Sequence, residues 1–342
     1  MRQMNGKRSV GILGTGSYTP DRVLSNFDLE KMVDTSDEWI ISRTGIRERR
    51  ISSTDQASSD LAYEAAKKAL ARAKLSPEQL DLIIVATVTP DTMFPSTACI
   101  LQDKLGATRA AAMDLSAACA GFLYGVTTAT QFIANGLYKH ILVIGVESLS
   151  KITNYKDRNT CVLFGDGAGA AVIGEVKEGY GFQSFELGAD GSGGPLLCLP
   201  AGGSRIPASN ESVEKNLHYL TMAGGEVFKF AVRMMNSATE NVLTKAGLTK
   251  DDIDLLVPHQ ANKRIIDSAV QRFGLSEEKV VVNLDRYGNM SSASIPVALD
   301  EAVQSGRVKE GDNLVLVGFG GGLTWGATLL KWSTTPAQGS GQ

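Results

Sequence analysis

The sequence predicts an α/β protein made of two similar halves packed around a pseudo-twofold axis. Three observations carry that prediction. LSPEQLDLII (75–84) reappears as LTKDDIDLLV (248–257), and ILVIG (141–145) reappears as LVLVG (314–318), both at an offset of 173 residues. Two blocks in one register across half a chain mark an internal repeat. Helical stretches alternate with short apolar β-branched runs, the pattern of parallel strands covered on both faces. Finally, 342 residues with 43% apolar side chains suffice for two domains and a large core.

Each element follows in order. The Ala/Lys/Glu-rich stretch 60–74 reads as a helix, Pro77 opens the loop behind it, and LIIVA (82–86) reads as a buried strand. A second helical stretch, 119–135, feeds a second apolar strand at 141–145. The later copy repeats this with helix 235–247, an acidic loop, strand 255–257, helix 292–305 and strand 314–318. Between the copies, 188–225 holds GADGSGGPLL, PAGGSR and a polar stretch at 208–217, which predicts a loop with little regular structure. The expected organisation is a half over 1–176, a half over 177–334 and a disordered tail over 335–342, within the Ser/Thr/Gly/Gln-rich end 333–342.

Composition narrows the function classes. With 34 Lys+Arg against 37 Asp+Glu the formal charge is −3, which excludes a generally basic nucleic-acid binder. The apolar runs 82–86 and 141–144 fall far short of the ~18 residues of a membrane span. The apolar stretch within 1–14 is also too short for a secretory signal. Cys99, Cys119, Cys161 and Cys198 form no C-x-x-C pair, so neither a zinc site nor a disulfide framework is indicated. The expectation is a reduced, cytoplasmic, soluble protein with no metal.

Cys119 is the first candidate for chemistry. It stands in DLSAACAGFLYG (114–125), where a strand-like run ends and small residues open a helix. A helix start offers positive dipole and unpaired N–H groups, which favour thiolate. The other three cysteines lack this setting and read as packing residues. Of three histidines, His140 and His218 read as structural or solvent-facing, while His259 ends a repeated strand in VPHQANKR (257–264). Sites of parallel α/β sheets form at such strand ends. Asn289 lies in RYGNMSSASIP (286–296), and the 173-residue offset sets Cys119 against Ser292 in the same turn. Pseudo-symmetry therefore brings the two turns towards a common axis. GFGGGLTWG (318–326) follows the last repeated strand, and its three consecutive glycines can offer backbone N–H groups to an oxyanion. GILGTG (11–16) lacks the full dinucleotide fingerprint, and FGDGAGAAVIG (164–174) has no Lys-Ser/Thr and is no P-loop.

Together these motifs resemble the β-ketoacyl-acyl-carrier-protein synthase III enzymes of the thiolase superfamily, from about residue 8 to 332. The resemblance rests on TSDEWIISRTGIRERR (35–50), SAACAGF (116–122), FGDGAGAA (164–171), GGEVFKFAV (224–232), PHQANKR (258–264), YGNMSSASIP (287–296) and GFGGGLTWG. It implies a thiolase-like duplicated five-layer α/β/α/β/α fold and a decarboxylative condensation of an acyl-coenzyme A primer with malonyl-acyl carrier protein. Cys119 would carry the acyl group, His259 and Asn289 would stabilise the malonyl-derived enolate, and the N–H groups of Cys119 and Gly321 would form the oxyanion hole. Asn289 stands where elongating relatives have a second histidine. The family's coenzyme A tunnel maps onto Trp39, Arg43, Arg158, Gly224, Phe228 and Asn262. The carrier-protein site maps onto Gln260, Ala261, Asn262, Lys263 and Arg264, with the basic run Arg47, Arg49 and Arg50 nearby. Phe94 matches a residue passed across a homodimer interface into the partner's acyl pocket. No cofactor is implied, since coenzyme A enters as a thioester substrate.

Three rivals are weighed against this reading. A cysteine peptidase fits the order Cys119…His259…Asn289 but lacks the C-G-[SA]-C-[WY] signature. A condensing enzyme that loads a starter unit for a secondary metabolite would share the core motifs. A decayed partner subunit would have lost its nucleophile, whereas Cys119 is present.

Overall fold

The computed structural model describes residues 8–336. In the first half, β1 (Val10–Tyr18) precedes a small hairpin of β2 (Val23–Ser25) and β3 (Glu48–Arg50), between which lie α1 (Asn26–Glu30) and α2 (Asp37–Thr44). There follow α3 (Ser58–Ala73), β4 (Leu82–Ala86), α4 (Thr97–Leu105), β5 (Ala111–Leu115), α5 (Gly121–Ala134), β6 (Ile141–Ser148), α6 (Arg158–Cys161) and β7 (Asp166–Glu175). The second half opens with β8 (Gly181–Ala189), β9 (Leu197–Cys198), α7 (Asn210–Glu214) and β10 (Thr221–Met222). It continues through α8 (Gly224–Ala246), β11 (Leu255–Pro258), α9 (Lys263–Phe273), α10 (Leu284–Tyr287), α11 (Ser294–Gln304), β12 (Asn313–Gly320) and β13 (Thr324–Lys331).

Two sheets repeat one topology. The first has the order β1-β7-β6-β4-β5 and the second β8-β13-β12-β11, and an isolated parallel bridge from Leu256 to Val280 stands where β5 stands in the first. In both, the repeated strands pair in parallel, β4 with β6 and β11 with β12, and antiparallel strands complete the far edge. Strand alternation sorts the side chains into layers. Leu82, Ile84, Ile141 and Val143 face a central layer, while Ile83, Val85, Leu142 and Ile144 face α3 and α4. In the second sheet Leu255, Val257, Leu314 and Leu316 face that same central layer, and Leu256, Val315 and Val317 face α8 and α9. The central layer is α5 and α11. This is the five-layer thiolase-like arrangement.

The expected helix 60–74 is α3, whose start is fixed by the Asp60 carboxylate accepting the Ala57 N–H at 2.8 Å. The expected helix 235–247 is only the C-terminal part of α8, which begins at Gly224. The loop predicted over 188–225 therefore overlaps the glycine start of this helix. That segment in fact holds the end of β8, a 3₁₀ turn at Gly191–Leu196, the β9–β10 pair and α7. Part of the expected disordered tail is ordered: the Lys177 N–H donates to Thr335 O at 3.1 Å, and Val176 bridges Pro336. Residues 337–342 lie outside the described residues. The glycines of GILGTG serve packing, because a Cβ at Gly16 would lie 2.3 Å from Ala65 O of α3.

Candidate active site

Two matching turns build the site. Residues Ala118–Ala120 form one 3₁₀ turn that runs into α5, and Ser291–Ala293 form another that runs into α11. In each the leading residue is left-handed, Ala118 at φ 45 and Ser291 at φ 46, and the two are 173 residues apart. The sharp entry sets the next side chain, Cys119 or Ser292, at the head of a buried helix. Strained turns of this kind gather at functional sites. The end of β12 closes on the Cys119 turn, and a Cβ at Gly320 would lie 2.6 Å from Cys119 N. Glycine there lets the backbone strand approach the Cys119 turn.

A cleft opens onto these turns, lined by Cys119, His259, Asn289, Ser291, Gly320 and Gly321. Its walls are otherwise mainly apolar, including Leu149, Leu163, Phe164, Leu197, Leu220 and Phe228. His259 ends the β11 strand run, its N–H donating to Val317 O at 2.8 Å, and its ring meets Phe319 edge-on with centroids 5.4 Å apart. Asn289 is held at both backbone groups: its N–H donates to Leu163 O at 2.8 Å, and its carbonyl accepts from Gly165 N at 3.0 Å. Its Oδ1 accepts from the Ser291 N–H at 2.8 Å, which orients the amide and leaves Nδ2 without a hydrogen bond among the described residues.

Electrostatics correct one expectation. A helix start favours the thiolate, yet burial pushes the Cys119 thiol up to about 12, with the Ser291 hydroxyl opposing the rise and the Glu147 carboxylate adding to it. Burial also lowers His259 to about 3, so its imidazole is neutral, and Nδ1 is buried with no partner. The resting pair is thiol and neutral imidazole, not an ion pair. Two of the three supposed packing cysteines are not buried either: Cys99 is exposed in the first turn of α4, and Cys198 lines the cleft, while Cys161 is buried.

Gly224, Phe228, Ala261 and Asn262 line the cleft with the catalytic candidates. Trp39, Arg43 and Arg158 do not, but they are tied to it. Asn262 Nδ2 donates to Arg43 O at 3.0 Å, linking α2 to the start of α9, and the Arg158 guanidinium stacks on the Trp39 ring at 4.8 Å. Arg264 is exposed and sits over the Phe228 ring at 5.4 Å, and Lys263 pairs with Asp267. Gln260 cannot greet a docking partner. It is fully buried, donating to Pro258 O and Val281 O and accepting from Asn283 N. Arg49 is likewise no part of a surface patch, being 0% exposed with its guanidinium donating to Leu24 O, Asn26 Oδ1 and Val162 O. Phe94 is 87% exposed and touches none of this cleft.

Sequence reasoning missed Glu147 and Ser291. Glu147 is the penultimate residue of ILVIGVES (141–148), which reads as an ordinary strand end. The available signal is a lone carboxylate within an otherwise uncharged, buried strand. Among the described residues no group of three or more His, Cys, Asp or Glu is placed to hold a metal, and no helix is long and apolar enough to cross a membrane.

Residues 113–191 match the family model for 3-oxoacyl-(acyl-carrier-protein) synthase III, and 243–332 match the model for its C-terminal region. The chain is 64% identical over 325 residues to the β-ketoacyl-(acyl-carrier-protein) synthase III of Desulfitobacterium hafniense strain Y51, covering 95% of this chain and 98% of that one. The chain belongs to the β-ketoacyl-acyl-carrier-protein synthase III family. A solved synthase III from Thermus thermophilus superposes with a TM-score of 0.88 at 51% identity, covering 95% of this chain and 100% of that one. The priming β-ketosynthase of the R1128 polyketide pathway superposes equally well, TM-score 0.88, at 37% identity over 96% of this chain and 97% of that one. As a synthase III the chain is a condensing acyltransferase, which joins an acyl-coenzyme A to malonyl-acyl carrier protein at the start of fatty acid synthesis.

Proposed function

We propose that Cys119, His259 and Asn289 carry this condensation, in two stages within the one cleft. The observation that supports it is their convergence on an apolar pocket, with the Asn289 amide already turned by Ser291. In the first stage Cys119 Sγ attacks the primer thioester and keeps the acyl group, splitting one hard transfer into two easier ones. The N–H groups of Cys119 and Gly321 receive the tetrahedral oxyanion, a role suited to the close approach of the Gly320–Gly321 backbone to the Cys119 turn. In the second stage His259 Nε2 and Asn289 Nδ2 donate to the malonyl thioester oxygen. A neutral His259 keeps one ring N–H for that task, and both donors strengthen as carbon dioxide leaves and the enolate forms. The enolate then attacks acyl-Cys119. Loss of carbon dioxide makes the carbanion directly, so no group must remove a carbon-bound proton and no cofactor is required by the chemistry.

Trp39 would stack on the adenine of coenzyme A, Arg43 with Arg158 would meet its nucleotide and phosphates, and Gly224, Phe228 and Asn262 would line its path into the cleft. Malonyl-carrier would dock at Arg264 and Lys263, with Ala261 and Asn262 behind them. The exposed Phe94 fits a homodimer in which it reaches the partner's acyl pocket, and the setting is the cytoplasm. Incubation with a panel of acyl-coenzyme A thioesters, followed by intact-mass measurement, tests the reading. A single acyl adduct on Cys119 is expected, absent from Cys119→Ala. An adduct mapped to the exposed Cys99 or to Cys198 would refute the assignment.

A further inference from the structure

The first stage leaves one proton without a destination, since acylation of Cys119 frees the thiol hydrogen. Glu147, at the C-terminal end of β6, is fully buried and otherwise has no part in the chemistry. Its carboxylate accepts from Val88 N at 3.1 Å, Thr89 Oγ1 at 2.7 Å, Thr87 Oγ1 at 3.3 Å, Ser292 Oγ at 2.9 Å and Ser291 Oγ at 3.1 Å. No cation is among these partners. Of the four hydroxyls, Ser291 alone lines the cleft, where it shares the wall with Cys119.

We propose that Ser291 relays the Cys119 thiol proton to Glu147 during acyl transfer from coenzyme A, an inference that rests on Cys119 being the nucleophile. As Sγ bonds to the thioester carbon, its proton passes to Ser291 Oγ, and the Ser291 proton passes to Glu147 Oε1. The C–S electron pair then leaves on the coenzyme A sulfur. Return of the proton through the same chain yields the free coenzyme A thiol and restores the carboxylate. The site keeps one negative charge throughout, first on Glu147 and then on the tetrahedral oxyanion. A preformed thiolate would instead set two anions side by side in a desolvated pocket, which is costly. The rise of the resting thiol to about 12 agrees with this order of events.

The groups facing Glu147 are the hydroxyls and N–H of 87–89, the hydroxyls of Ser291 and Ser292, and the Cys119 thiol, the one titratable group among them. Burial raises the Glu147 carboxyl above its ordinary range, so loading should fall on the acid side as it protonates. Ser291→Ala tests the relay with little disturbance. Ala118 already holds φ 45 at the equivalent position, and the Asn289 amide is oriented by the Ser291 backbone N–H, which the variant keeps. Rapid-quench mass measurement of acyl loading, across a pH series, is compared with malonyl-carrier decarboxylation in the same variant. The expected result is a ratio of loading to decarboxylation about 10²-fold lower, with the acid limb gone and only a slow rise towards alkaline pH. Glu147→Gln should do the same with Ser291 in place. Loading at the parent rate, a surviving acid limb, or an equal fall in both half-reactions overturns the relay. Absence of any adduct on Cys119 in the parent protein overturns the assigned nucleophile as well, so the two failures are distinguishable.

Discussion

Cys119 and His259 are both held uncharged by burial, and opposite pH limits follow. An unfolded histidine takes up its proton near 6.5, whereas His259 does so at about 3. Its contribution to stability is therefore full above pH 6.5 and lost as pH falls towards 3. Cys119, raised from 9.0 to about 12, contributes fully below pH 9 and loses its contribution as pH rises towards 12. Denaturant unfolding across pH should show an acid decline that is shallower in His259→Gln; an unchanged slope would mean that other groups set the acid limit. For activity, the proposed roles require that His259→Ala and Asn289→Ala still accept the primer on Cys119 yet condense about 10²–10³-fold more slowly, each lacking one proposed donor to the enolate. Single-turnover condensation on preloaded enzyme reads this directly, and loss of loading with normal condensation would reverse the assigned roles. The sequence singles out these three side chains because each stands at a break in a repeated frame, and the fold brings them to one cleft. The burial of Gln260 and Arg49 was not legible, since a polar residue in a polar run looks exposed until its hydrogen-bond partners are known.

At the scale of elements, the strands read correctly because continuous apolar runs such as LIIVA have little choice but a sheet buried on both faces. The start of α8 did not read, since its pair of glycines lowers helix propensity and only packing of Phe230, Ala231 and Met235 against the second sheet makes a helix there. The β1–α3 contact depends on small residues on both sides. A methyl group at Gly16 would strike the α3 backbone at 2.3–2.5 Å, so Gly16→Ala should destabilise by about 1–3 kcal/mol through a forced strand–helix separation. Chemical denaturation measures the loss. Wild-type stability in that variant would show that β1 shifts freely, and would return GILGTG to the search for a role.

Over the whole molecule, symmetry is kept in the frame and broken in the chemistry. The 173-residue shift that carries the Cys119 turn onto the Ser291–Ser292 turn also carries Glu147, beneath the second turn, onto Gly320, which presses on the first. Each turn is thus served by a strand of the other half. Docking belongs to this scale too. With Gln260 and Arg49 inside and Lys263 engaged by Asp267, Arg264 is left as the principal exposed cation of the PHQANKR segment. Arg264→Glu should slow use of malonyl-carrier about tenfold at low salt, with the difference shrinking as salt screens it, while loading from small acyl-coenzyme A changes less. Parent-like carrier kinetics at low salt would move the docking site elsewhere. One last consequence lies in the middle layer, where α5 and α11 are each covered by strands from both sheets. Neither half owns a sealed interior. Severed between β7 and β8, each fragment would carry a bare oily flank, and a single-copy ancestor of such a chain would have stayed dry only by embracing a twin.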